Sequence, residues 1–292
     1  MKLTDINIRD PFVLPFEGKY YMYGSRVGTP YEKNPWGDQF GFDVYTSTDL
    51  ENWSAPKCIF ETNESFWGKF HFWAPEVHLY NGKFYLFASC KAPERCRGTH
   101  IFVCDTPNGT FTPVSKDPAT PLDWECLDGT LYIDKKGKPH IVFCHEWLQV
   151  TDGTMCEIAL SDDLSAPISA PRVLFRASDY VVSKGQTPVE GKTYVTDGPY
   201  FIRCSDQSLA CIWSTYDQSY VELVAKSDNG DIDGNWSIES TPLSAEDGGH
   251  GMIFTTFEGE RLFIMHKPNK CPLERPVIMK FIDDNGKLSV QP

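Results

Sequence analysis

The stretch RDPFVLPFEGKYYMYGS, residues 9–25, opens on two ionisable residues, runs into an apolar strand, turns at Gly18 and returns as a still more apolar strand. A glycine-bearing turn between two such runs is the signature of a β-hairpin. The unit recurs four more times: WAPEVHLYNGKFYLFAS from Trp73, LDGTLYIDKKGKPHIVFC from Leu127, TDGPYFIRCSDQSLACIWS from Thr196 and GHGMIFTTFEGERLFIMH from Gly249. Gly82, Gly137 and Gly259 mark three of those turns, and Gln207 stands at the one without glycine. Counting back from each turn, the first strands are headed by Asp10, Ala74, Asp128, Asp197 and His250. Four of these heads are ionisable, in a slot where a strand has no need of charge.

A second unit lies between the hairpins, in which a strand meets a Ser/Thr/Asp-rich turn and another strand follows. Its copies are FDVYTSTDLENW from Phe42, IFVCDTPNGTF from Ile101, CEIALSDDLSAP from Cys156, VELVAKSDNGDIDGNW from Val221 and IMKFIDDNGKLSV from Ile278. Two hairpins per repeat give four antiparallel strands, so the pattern predicts an all-β, five-bladed β-propeller over residues 1–292 as one domain. Successive heads stand 64, 54, 69 and 53 residues apart (10 to 74, 74 to 128, 128 to 197, 197 to 250). That exceeds the ~40–45 residues of a WD40 blade and leaves room for loops. Runs such as YYMY, FYLF, HIVFC and LFIM are apolar on consecutive residues, which predicts strands buried on both faces between neighbouring blades. A two-sheet sandwich would alternate instead, and would not set an acid at the start of every second hairpin.

Composition narrows the function. A formal charge of −13 and the lack of Lys/Arg clusters argue against a nucleic-acid partner. No window approaches the roughly 18–20 uninterrupted apolar residues of a membrane helix, so no membrane partner is expected. The opening MKLTDINIRD has no apolar secretory core. Cys90, Cys104, Cys144, Cys204 and Cys211 sit in or beside apolar runs without CxxC spacing, which reads as free thiols in a reducing cytoplasm; a processed export signal would leave the same picture. Neither an H-x-x-x-H zinc pattern, a phosphate-binding glycine loop nor a Gly-x-Ser-x-Gly elbow occurs.

In a propeller the first strand of each blade is innermost, so the five heads converge on the axis. Asp10, Asp128 and Asp197 then share a cavity with His250. Like charges and burial raise the pKa of some members of such a group. A protonated acid and an ionised base flanking a small cavity are the two parts that glycoside hydrolysis needs. Sugar recognition adds flat apolar walls with a few fixed polar groups, for which Trp73, Phe72 and Trp147 are candidates. Glu76, two residues beyond Ala74, is expected on the same strand face.

The chain resembles glycoside hydrolase family 43, the five-bladed propellers that include arabinofuranosidases and β-xylosidases. The motifs are RDP at Arg9–Pro11, WAP at Trp73–Pro75, LDG at Leu127–Gly129, DGP at Asp197–Pro199 and HG at His250–Gly251, in order along essentially the whole chain. The resemblance implies an inverting mechanism with Asp10 as general base and Asp128 as the group that raises and orients the acid. The family's acid is usually a Glu in Glu-Gly-Pro; here Asp197 fills that slot, one methylene shorter, and Glu146 in FCHEW is the rival. It also implies a sugar contact from Arg275, no cofactor for the chemistry, and a structural calcium on the axis held through waters by His250.

Each motif has a plainer reading. Asp before Pro or Gly is a common turn, a lone His is often structural, and Trp53 and Trp236 in the outer hairpins are expected to pack. The repeat favours function for the heads. The expected activity is exo-acting release of a terminal pentose, foremost α-L-arabinofuranose, from an oligosaccharide partner. A β-xylosidase, a β-D-galactofuranosidase, a glycoside phosphorylase and a non-catalytic carbohydrate-binding propeller are the alternatives.

Overall fold

The computed structural model describes residues 1–28, 40–180 and 193–291. Its strands form five separate four-stranded antiparallel sheets. The first blade holds β1–β4 (Ile8–Phe16, Lys19–Arg26, Gly41–Ser47, Lys57–Glu61) and the second β5–β8 (Phe70–Tyr80, Lys83–Ala92, Arg95–Cys104, Thr112–Pro113). The third holds β9–β12 (Cys126–Ile133, Pro139–His145, Thr154–Ala159, Arg172–Arg176), with a short helix α1 (Trp147–Val150) after β10. The fourth holds β13–β16 (Asp197–Arg203, Leu209–Tyr216, Tyr220–Ser227, Trp236–Ile238) and the fifth β17–β20 (Gly249–Thr255, Arg261–Lys267, Arg275–Asp284, Lys287–Gln291). In every blade the strands lie in sequence order, and the first strands β1, β5, β9, β13 and β17 touch one another in a ring. The predicted five-bladed propeller is the fold observed.

Local chemistry sets the hairpins. In the first two blades the turn residues Glu17–Gly18 and Asn81–Gly82 all have positive φ, the geometry whose twist matches antiparallel strands. The fourth blade makes its turn with Gln207 at φ +68, a side chain where glycine would be unstrained. The consecutive apolar runs pack at the seams between blades. Phe42, Phe60, Phe66, Phe72 and Phe102 meet between the first two blades, and Val142, Cys144, Cys211, Trp213 and Leu223 between the third and fourth. Trp53 is buried in the first of these clusters and Trp236 packs on the second, as expected of outer-hairpin tryptophans. Cys90, Cys126, Cys144, Cys156, Cys204 and Cys211 are buried free thiols. Among the described residues no helix is long and apolar enough to cross a membrane.

Among the described residues the ring closes without a shared strand, because all of β1–β4 comes from the N-terminal part and all of β17–β20 from the C-terminal part. Side chains join the two ends instead. Arg9 Nη1 pairs with Glu274 Oε1 at 2.9 Å, and Asn7 Nδ2 donates to Glu274 O at 2.7 Å. Arg275 Nε donates to Thr4 O at 3.1 Å and its Nη1 to Glu274 O at 2.7 Å.

Candidate active site

Every blade carries an irregularity in the pairing of its first two strands. At the same level one residue of the first strand has a left-handed backbone: Asp10 (φ 53), Ala74 (φ 46), Asp128 (φ 54), Gly198 (φ 50) and His250 (φ 51). A bulge of this kind bends the strand and re-aims a side chain, at a strain of order 1–3 kcal/mol for each non-glycine residue. Five repetitions turn the heads toward the axis.

The register corrects one sequence expectation. Arg9, Trp73, Leu127, Asp197 and Gly249 pair with Ser25, Ser89, Cys144, Ser214 and His266 respectively. Asp197 is therefore equivalent to Arg9 and Trp73, one residue before the head, and the fourth head is Gly198. The position tolerates no side chain: a Cβ on Gly198 would lie 2.7 Å from His250 Cγ and 2.8 Å from Cδ2. With Gly198 bare, Asp197 reaches the cluster from the preceding position and stays more open than the others, 19% exposed against 9% for Asp10 and 5% for Asp128.

The three aspartates converge on one imidazole. His250 Nδ1 lies 3.3 Å from Asp10 Oδ1, 3.7 Å from Asp128 Oδ2 and 3.8 Å from Asp197 Oδ1. Ser25 Oγ donates to Asp10 Oδ2 at 2.5 Å, Tyr220 Oη to Asp197 Oδ2 at 2.6 Å, and the Gly198 amide to Asp128 Oδ2 at 3.2 Å. His266 Nδ1 accepts the Asp10 amide at 3.2 Å, which puts its ring proton on Nε2, toward Asn269 Oδ1 at 3.3 Å.

The carboxyls separate in proton affinity. Burial would raise Asp10, but the charges of His250 and Arg9 and the Ser25 hydroxyl outweigh it and hold the group below the ordinary range. Asp128 goes the other way: burial, the charge of Asp197, a hydrogen bond with Asp197 and the charge of Asp10 all raise it well above that range. Burial and the nearby Arg9 push His266 down to about 3, so that ring is neutral at ordinary pH. One ionised base thus faces a buried carboxyl, Asp128, that retains its proton.

The remaining expected residues divide. Trp73 is half-buried, stacked on His71 at 4.2 Å, with the Arg97 guanidinium 4.4 Å over its ring. Phe72 is fully buried in the seam between the first two blades, because strand alternation turns it away from Trp73; it is core, not pocket wall. Glu146 Oε1 lies 2.6 Å from Arg97 Nη1 with both side chains buried, so it neutralises a cation of the second blade rather than joining the aspartates at His250. Trp147 packs against the seam of the third and fourth blades, and Arg275 holds the ends of the ring together. Both were expected to contact sugar, and neither is fully buried. Glu76 is buried and bonded to His78 Nε2 at 3.1 Å; its charge acts on Tyr200, and Phe12 meets both His78 and Tyr200 edge-on.

Arg9, Ser25, Arg97, Ser214, Tyr220, Glu222 and His266 were missed by the sequence reading. Their positions follow from the strand register, although the recurring Ser at the end of the second strand (Ser25, Ser89, Ser214) is visible in the repeats.

Asp128, Asp197 and His250 each offer one donor atom within 4.8 Å of the others. Two carboxylates supply the oxygens that calcium takes, and waters would complete the six to eight it requires. The residues fit a cation whose positive charge would offset the clustered acids.

The Glycosyl hydrolases family 43 model matches residues 4–285. The solved endo-arabinase from Bacteroides thetaiotaomicron VPI-5482 shares 34% identity and a TM-score of 0.90, with 98% of each chain covered. Among curated proteins, Xylosidase/arabinosidase 43A of Humicola insolens is 27% identical over 50% of this chain and 46% of its own length. The extracellular endo-α-(1→5)-L-arabinanase 1 of Bacillus subtilis (strain 168) is 23% identical over 59% and 57%. The chain thus spans about half the length of these curated relatives.

Proposed function

Because the chain belongs to glycosyl hydrolase family 43, we propose that it hydrolyses α-L-arabinofuranosyl linkages, releasing the terminal sugar from short oligosaccharides with inversion. The observation that carries this reading is the trio of aspartates facing His250 Nδ1, with Asp10 held ionised and Asp128 inclined to keep its proton.

In this mechanism Asp10 takes a proton from a water that attacks the anomeric carbon. The C–O bond to the leaving group breaks as the bond to water forms, and the leaving oxygen receives a proton from Asp197. Asp128 shares a proton with Asp197 and raises the pair's affinity for it. The greater exposure of Asp197 supports it as the donor of the two. Tyr220 fixes its Oδ2, and substrate seated close to the head offsets the missing methylene. Trp73 supplies the apolar face, flattened by the His71 and Arg97 layer. A cation on the axis, held through waters by His250, would supply charge neutralisation. The buried free thiols support a reducing compartment.

Nitrophenyl arabinofuranoside, xyloside and galactofuranoside, followed by arabino-oligosaccharides, test the proposal. Arabinofuranoside turnover that disappears in Asp10→Asn is expected; binding of arabino-oligosaccharides with no turnover of any substrate would instead mark a carbohydrate-binding propeller. A second reading, endo-hydrolysis of arabinan, is favoured by the likeness to the endo-arabinase. Product length separates the two, since arabinose alone means exo cleavage and shorter oligosaccharides mean endo.

A further inference from the structure

Side chains at the ends of the second strands pin the bulged heads of the next blades. Ser25 Oγ accepts the Ala74 amide at 2.7 Å, Ser89 Oγ the Asp128 amide at 2.9 Å and Ser214 Oγ the His250 amide at 2.7 Å. A hydroxyl that accepts in this way must aim its own hydrogen elsewhere. Ser25 gives its hydrogen to Asp10 Oδ2. Ser214 gives its hydrogen to Glu222 Oε2 at 2.7 Å, an oxygen that also accepts the Gly251 amide at 3.3 Å.

Glu222 is an expensive choice for that duty. It lies opposite Ser214 on β15, is 0% exposed, and its Oε1 has no hydrogen-bond partner among the described residues. Burying a carboxyl with an unpaired oxygen carries a substantial desolvation cost. What that cost secures is geometry: one carboxyl oxygen orients the Ser214 hydroxyl and holds the next amide, fixing the left-handed corner whose side chain is the imidazole among the three aspartates.

We propose that Glu222 is a positioning residue for the hydrolytic site, acting through Ser214 and the backbone at residues 250–251 to place the His250 imidazole. The proposal rests on the hydrolase reading for its kinetic consequence, and on the His250 ring itself for a readout that needs no substrate.

The test compares Glu222→Gln, which keeps an acceptor oxygen, with Glu222→Leu and Ser214→Ala, which remove one end of the relay or the other. Glu222→Gln should stay within about threefold of wild-type kcat. The other two should lose on the order of 10²-fold in kcat, as expected when a reacting group shifts by about an ångström, with KM changed less than about threefold. The double variant Ser214→Ala/Glu222→Leu should lose no more than the worse single one, because both act on one relay. The His250 imidazole NMR resonances, assigned by His250→Gln, should move in Glu222→Leu and Ser214→Ala and hold in Glu222→Gln. Folded Glu222→Leu or Ser214→Ala with wild-type kcat and unmoved His250 resonances would overturn the proposal, as would fully additive losses. Should wild type turn over no glycoside, shifted His250 resonances would still support the positioning claim while the hydrolase reading fell.

Discussion

Replacing Gly198 by alanine isolates the packing at the centre of the site. The new methyl group would sit 2.7 Å from His250 Cγ, 2.8 Å from Cδ2 and 3.0 Å from Cα, and the ring's Nδ1 is already held 3.3 Å from Asp10 and 3.7 Å from Asp128. The left-handed backbone (φ +50) costs an L-residue roughly 1–2 kcal/mol, and overpacking adds about 1–3 kcal/mol. A loss of about 2–5 kcal/mol corresponds to a drop of roughly 4–20 °C in Tm for a protein of this size class. Gly18→Ala is the control, because Gly18 has φ +76 but nothing within 4 Å of the added Cβ, so only the backbone cost applies. Thermal unfolding of both variants, with kcat measured well below either transition, should show Gly198→Ala the less stable and on the order of 10²-fold slower. Equal stability of the two variants, with kcat unchanged in Gly198→Ala, would refute the claim that bare backbone at the fourth head makes room for His250.

Asp10→Asn should cut kcat by roughly 10²–10⁴-fold, the usual contribution of a general base, while the protein stays folded by circular dichroism. Asp197→Ala should slow substrates with poor leaving groups far more than nitrophenyl glycosides, a comparison of kcat/KM that locates the acid. Glu146→Ala should instead lower stability by about 3–5 kcal/mol in chemical denaturation, because it strands the buried Arg97 charge, with no leaving-group dependence. Burial pushes Glu222 up from 4.5 to about 8. The folded state therefore binds this proton more tightly than the unfolded one, and the stability it contributes is complete below pH 4.5 and lost as pH rises toward 8. The span is roughly 5 kcal/mol; Glu222→Gln should flatten that part of the stability–pH curve, and an unchanged slope would contradict the shift.

The fold was readable because its signal is repetition. Five hairpins with the same apolar runs admit few architectures, and Asp10, Asp128 and His250 stand at heads where the repeat placed them. Asp197 lies one residue before the head that the repeat predicts, since a hairpin alignment cannot register a left-handed bulge; the positive φ at Gly198 is a property of backbone, not of pattern. Phe72, expected as a pocket wall, is seam core for a related reason. Aromatic character marks both sugar platforms and seam cores, and only the direction of the side chain decides between them. Arg275 and Glu146 carry charges that sequence cannot assign to partners, and their partners, the Thr4 carbonyl and Arg97, lie far along the chain. Glu222 gave no signal at all, because an acid inside the run VELVAK reads as an ordinary exposed strand position until burial shows otherwise.

Proton NMR of an arabino-oligosaccharide digest, followed from the first minutes, tests the central claim most directly by reporting the anomer released before mutarotation. A water activated by Asp10 opposite a proton donor at Asp197 predicts β-arabinofuranose as the first product from an α-linked substrate, and no product from Asp10→Asn. First release of the α anomer, or an undiminished rate in Asp10→Asn, would contradict it.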